Sequence, residues 1–150
     1  MAMKQLSMNS LVGLPISHIW FGHGSALFLE LGPLSESRLQ DGSPANPKGS
    51  ITVMADFGWR IEKARSIACG SGDSKSRCNA IARKLVGAMI ADAQVIGRIP
   101  ELYVEFSNGL WLQTFSYYQG QPTWAIFFNA RGCGSLCVKN GQLRLDKRPS

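Results

Sequence analysis

One pattern is written twice in this chain of 150 residues, and that repetition narrows its folds more than any other feature. The later copy opens with Leu85-Val86-Gly87, runs through Leu102-Tyr103-Val104-Glu105-Phe106 to Asn108-Gly109, and closes on Trp124-Ala125-Ile126. The earlier copy opens with Leu11-Val12-Gly13, runs through Leu27-Phe28-Leu29-Glu30-Leu31 to Gly32, and closes on Trp59-Arg60-Ile61. The opening blocks lie 74 residues apart and the middle blocks 75, but the tryptophans only 65, because the first copy carries extra chain between Gly32 and Ile51. A single meander of three or four strands exposes one apolar face and is marginal alone. Two such units cover each other's faces either as a sandwich or, joined edge to edge, as a partial barrel. The expectation is therefore an α+β fold, mainly antiparallel β, in a single domain over 1–150. Its duplicated units span about 11–63 and 85–128, and a C-terminal hairpin covers 134–146.

Local patterns fill in the elements. Met8, Leu11 and Val12 have helical spacing before Gly13, predicting a short helix near 3–12. Ile16, His18 and Trp20 alternate with Ile19 and Phe21, and a Gly-His-Gly-Ser turn leads into a strand from Ala26 to Leu31. The stretch 33–50 is rich in Gly, Pro, Ser and Asn and reads as an inserted loop. Strands follow at 51–55 and from Trp59 to Lys63, and 66–69 either prolongs the latter or forms another. Cys78, Ile81, Ala82, Leu85 and Val86 make one apolar stripe, so a helix runs near 74–86 with Asp73 or Ser74 as its N-cap and Gly87 as its stop. Strands follow at 88–96 and, around a two-residue Asn108-Gly109 turn, at 101–107 and 110–116. A further strand with a continuous apolar centre runs from 123 to 129. Asn140-Gly141 turns the last hairpin.

Charge is unevenly placed in a chain whose net charge is +6. The segment 59–84 holds seven basic groups against Glu62 and Asp73, and 131–150 holds five against Asp146. Such segments attract nucleic acid or an acidic protein surface, the alternative being a solvated face. Residues 5–29 and 106–130 lack Lys, Arg, Asp and Glu but carry too many Gly, Pro, His, Asn and Gln residues to span a membrane. Without a leader-like N-terminus, the expected location is cytoplasmic, with Cys69, Cys78, Cys133 and Cys137 as reduced thiols. Their spacing is not that of a zinc knuckle, and His18 and His23 do not make a metal pair. No cofactor or metal is expected.

No catalytic constellation stands out. The run from Cys69 to Ser76 has the Lys-Ser pair of a phosphate loop but Cys and Ser where that loop needs glycine. What survives is an anion site at the helix start, with Ser74, Lys75 and Arg77, unless Asp73 fills it as a cap. Arg60 and Glu62 share a strand face as an ion pair. Glu30 and Glu105 match between copies and read as solvent-facing residues of alternating strands; were they to approach each other, they would form an acid–base pair. The loop Tyr117-Tyr118-Gln119-Gly120-Gln121-Pro122 offers rigid aromatic area with hydrogen-bonding ends, unless one tyrosine packs back on the core. With Arg60 and Arg65 it forms the candidate binding surface.

The order Trp59-Arg60-Ile61-Glu62, Gly70-Ser71-Gly72-Asp73, Leu85-Val86-Gly87, Leu102-Tyr103-Val104, Asn108-Gly109, Phe115, Trp124 resembles a broad group of small uncharacterised bacterial proteins. In that group a Trp-Arg strand is followed by a Gly-Ser-x-Asp loop, a short helix, a hairpin and a second Trp strand. The resemblance covers roughly 55–130 and implies no activity; some similar proteins sit beside polymorphic toxins as immunity factors. The expected function is a non-enzymatic protein-binding module of that immunity-like kind. The alternatives are nucleic-acid binding through 59–84 and 131–150, and a small-ligand sensor or enzyme with a pocket between the two repeats.

Overall fold

A computed structural model describes residues 8–119, 122–129 and 134–147. The fold is a β-rich α+β sandwich of two antiparallel sheets, and neither closes into a barrel. The strands are β1 (Ile16–Phe21), β2 (Leu27–Leu31), β3 (Ile51–Ala55), β4 (Trp59–Glu62), β5 (Ile67–Gly70), β6 (Ile90–Ile96), β7 (Glu101–Phe106), β8 (Trp111–Thr114), β9 (Trp124–Phe128), β10 (Gly134–Lys139) and β11 (Gln142–Lys147). One sheet has the order β1-β2-β3-β9-β10-β11 and the other β5-β4-β8-β7-β6. Each half of the chain thus lays three strands in one sheet and then crosses to the other. The tryptophan strands β4 and β9 are the first after each crossing.

Strand registers make the two halves correspond residue by residue. Ala55 pairs with Trp124 and Val53 with Ile126 in one sheet; Thr114 pairs with Trp59 and Leu112 with Ile61 in the other. Leu29 faces Val53 as Val104 faces Leu112. Even the register shift recurs, between Ile16 and His18 on β1 and between Ile90 and Asp92 on β6. Where the halves meet, Pro15 and Met89 form an antiparallel bridge. Around it the bonds are reciprocal: Gly13 N–H donates to Ile90 O and Gly87 N–H to Ile16 O, both at 2.8 Å. Gly13 (φ +89°) and Gly87 (φ +94°) both need the left-handed conformation that glycine adopts without a Cβ penalty. Each tryptophan indole is also held by a corresponding carbonyl, Trp59 Nε1 by Ser25 O at 2.9 Å and Trp124 Nε1 by Pro100 O at 3.1 Å.

Inward residues of both sheets form one core, with Trp59, Trp124, Phe106, Leu29, Ile61, Leu102, Leu112 and Ile126 fully buried. Helix α1 (Lys75–Leu85) adds Cys78, Ile81 and Leu85 to that core, whereas Val86, expected in the same stripe, is its C-cap and is exposed. Ser74 is its N-cap, with the hydroxyl accepting from Arg77 N–H. Asp73 instead turns its carboxylate back to Gly70 N–H at 2.8 Å.

Several expectations need adjustment. Met8 and Asn9 are helical and 10–13 a turn, while 3–7 of the expected first helix lie outside the described residues. The Asn108-Gly109 connection is not a two-residue turn: Gly109 N–H closes on Phe106 O, and only Gly109 is left-handed. Asn108 is instead recruited by the helix end, its Nδ2 donating to Lys84 O at 3.0 Å. The stretch 66–69 contributes a separate strand, β5, paired antiparallel with β4. The inserted loop 33–50 is tied by bridges Ser35–Lys48 and Arg38–Pro44 and lies over one strand face: Gly49 sits against the Leu31 backbone, where any Cβ would collide.

Candidate functional site

The most distinctive surface lies where the chain passes between sheets. Gly58 (φ +83°) makes the β3–β4 crossing, and Phe115 N–H donates to its carbonyl at 2.8 Å. The reciprocal bond, Asp56 N–H to Thr123 O at 2.8 Å, ties this crossing to the one between β8 and β9. Side by side, the two crossings gather four rings. Tyr117 lies 5.9 Å from Phe57, 6.5 Å from Phe115 and 5.4 Å from Tyr118, centroid to centroid. Tyr117 is 60% exposed and Tyr118 49%, so neither packs back on the core; Phe57 and Phe115 are exposed as well. The Arg60 guanidinium stands 5.8 Å over the Phe115 ring while its Nε bonds Glu62 at 2.7 Å. A cation over an aromatic face is attracted by the ring quadrupole.

The root of the tyrosine loop is fixed by a polar cluster. Glu101 accepts Ser116 N–H at 2.7 Å and the Thr114 hydroxyl at 2.8 Å, and the Ser116 and Thr123 hydroxyls are hydrogen-bonded to each other. Holding the loop before a partner arrives lowers the entropy lost on binding. Gly120 and Gln121, also in the expected surface, lie outside the described residues. Arg65 is exposed in the bend beyond the opposite end of β4, so the structure brings Arg60 to the rings but leaves Arg65 apart from them.

The expected anion site is only partly assembled. Ser74 Oγ is occupied by Arg77 N–H, and Arg77 Nε donates to Ala68 O at 2.8 Å, turning that cation away from the helix start. Lys75 remains, on the rim of a cleft of about 720 Å³ between β1 with its turn and the start of α1. For the basic segments, Arg60 and Arg77 are thus already engaged, while Arg131 and Arg148 of the other segment lie outside the described residues.

Glu30 and Glu105 cannot form a pair. Leu29 and Val104 point into the core from β2 and β7, which places the adjacent glutamates on the outer faces of opposite sheets. Glu105 is exposed, near the Trp111 indole. Glu30 is not: it is 1% exposed and accepts from Trp20 Nε1 at 2.8 Å, Gly49 N–H at 3.0 Å and the Thr52 hydroxyl. Sequence alternation misses this burial, because Gly49 at the end of the loop 33–50 and Trp20 across from β1 close on the carboxylate.

Comparison with family models, curated proteins and solved structures finds no match for this chain. The site therefore has to be read from its own chemistry. Among the described residues no three His, Cys, Asp or Glu side chains are grouped to hold a metal ion, and no helix is long and apolar enough to cross a membrane. Cys69 and Cys78 are free thiols buried against the core, and Cys133 lies outside the described residues. Burial pushes the Cys69 thiol up to about 12 and raises Cys78 as well, so neither is an activated nucleophile at neutral pH.

Proposed function

We propose that this chain is a non-enzymatic protein-binding module of a bacterial cytoplasm, built by duplication of one strand-rich unit and acting as an immunity-like factor that covers another protein. The observation that carries the reading is the exposed platform of Phe57, Phe115, Tyr117 and Tyr118 with Arg60 above it. Aromatic and arginine side chains on a pre-fixed loop are the residue types that dominate binding energy at protein interfaces. Four solvated rings gathered around Tyr117 cost hydration that folding alone does not recover. The partner's surface is expected to be apolar at its centre and acidic at its rim, because this chain carries +6 overall and the segment 59–84 is its most basic part.

The test uses the full chain as bait in its native host, with a Tyr117→Ala/Tyr118→Ala variant alongside. One dominant protein should be retained by the parent chain, and the purified pair should then bind at least tenfold more weakly with the double variant. Parent and double variant should unfold at the same temperature, since the rings lie outside the core. Equal affinity of parent and double variant for the purified partner would overturn the reading.

A further inference from the structure

The cleft between β1 and α1 has a chemistry that the platform does not use. It measures about 720 Å³, within the range of small-molecule sites. Its floor is apolar: Trp59 is buried with its indole held by Ser25 O, and Phe21 stacks on it at 6.2 Å with 25° between planes. Its polar wall includes Asp73, Lys75 and Asn79, with Ser71 beside them and His23 and Ser25 on the facing turn. Among the described residues, nothing hydrogen-bonds or ion-pairs with the Lys75 ammonium or the Asn79 amide. Asp73 uses Oδ2 for Gly70 N–H, leaving Oδ1 unengaged there. Two opposite charges thus line one cleft without neutralising each other.

The framework does not require those charges. The corresponding place in the other half, at the β6–β7 connection and the end of β10, holds a pocket of about 490 Å³. Among the described residues its lining includes Ile99, Val138, Asn140 and Gly141, together with Ser116 to Gln119 of the tyrosine loop, and no charged residue. Register places Val138 where Ser71 stands in the first cleft, and Asn140 follows where Asp73 does. Among the described residues, the first opening alone is furnished with a carboxylate and an ammonium.

We propose that the cleft binds a small aromatic zwitterion, a free α-amino acid or dipeptide. The ligand's ring lies on Phe21, which is backed by the buried Trp59, its ammonium meets Asp73 and its carboxylate meets Lys75 and Asn79. A polyanion such as a nucleotide is disfavoured by Asp73, and a simple cation by Lys75. The surface involved is separate from the tyrosine platform, so this inference stands or falls independently of the protein-binding reading.

Calorimetric titration of the full chain tests it, with L-tryptophan, L-phenylalanine and their mixed dipeptide as zwitterions. N-acetyl-L-tryptophan and L-tryptophanamide each remove one charge. At least one zwitterion should give a saturable one-site isotherm, weakened tenfold or more by either blocked form. Lys75→Ala should weaken it as much, whereas Lys84→Ala, at the far end of α1, should leave it unchanged. Asp73→Asn keeps an acceptor for Gly70 N–H, so it should lose the ligand while keeping the parent's unfolding temperature. Absence of saturable heat with every zwitterion would overturn the proposal, as would affinity indifferent to Lys75→Ala and to blocking.

Discussion

Glu30 and Glu105 stand at corresponding positions of β2 and β7, each flanked by residues that point into the shared core. In the second half the glutamate meets water; in the first it is buried and satisfied by the Trp20 indole, the Gly49 N–H from the end of the loop 33–50 and the Thr52 hydroxyl. The backbone framework is the same, so the difference comes from what has been laid over it. Strand alternation decides which sheet face a side chain takes, whereas burial on an outer face depends on which large neighbours and loop ends lie over it.

If the halves correspond energetically as they do in register, their tryptophans should be interchangeable in cost. Trp59→Ala and Trp124→Ala each empty a fully buried site and orphan a carbonyl, so each should lose about 3–5 kcal/mol in urea unfolding. The two losses should agree within about 1 kcal/mol. A loss confined to one of them would break the comparison at its centre.

The glutamates should behave in the opposite way. Glu30→Ala leaves the Trp20 indole, Gly49 N–H and Thr52 hydroxyl without their acceptor, at about 3 kcal/mol. Glu105→Ala should change stability by no more than about 0.5 kcal/mol, as exposed substitutions do. Equal losses, again by urea unfolding, would mean that the loop cover contributes nothing to the difference.

Much of this architecture is legible in the residues. The α1 stripe, the alternation of β3 and the paired tryptophan blocks give helix, strands and correspondence directly. Which sheet each strand joins is not local information: nothing in Trp59-Arg60-Ile61 says that β4 leaves the sheet of β3 to pair with β8. The platform was half visible for the same reason. Adjacent Tyr117 and Tyr118 can be read in sequence, but Phe57 joins them only because the two crossings lie together. Glu30 defeats pattern reading altogether, since it is closed off by a cross-strand indole and a glycine nineteen residues on.

The smallest contrast separates Cys69 from its counterpart Leu136, which face Ile61 and Ile126 across their strands. Both are buried, but only the thiol titrates, and burial raises it from an ordinary 9.0 to about 12. Above pH 9 the unfolded chain releases this proton while the folded chain keeps it, so the unfolded state binds fewer protons and stability falls as pH rises. The loss begins near pH 9, grows toward about 1.4 kcal/mol per pH unit, and ends near pH 12, where the folded thiol also ionises. By pH 10 this one group accounts for about 1.4 kcal/mol. Urea unfolding of the parent and of Cys69→Ala between pH 8 and pH 10 isolates it, since every tyrosine and lysine remains common to both. The gap between their stabilities should narrow by that amount as pH rises. A constant gap would show that the thiol ionises as easily inside the sandwich as outside, and that Cys69 and Leu136 differ in chemistry without differing in consequence.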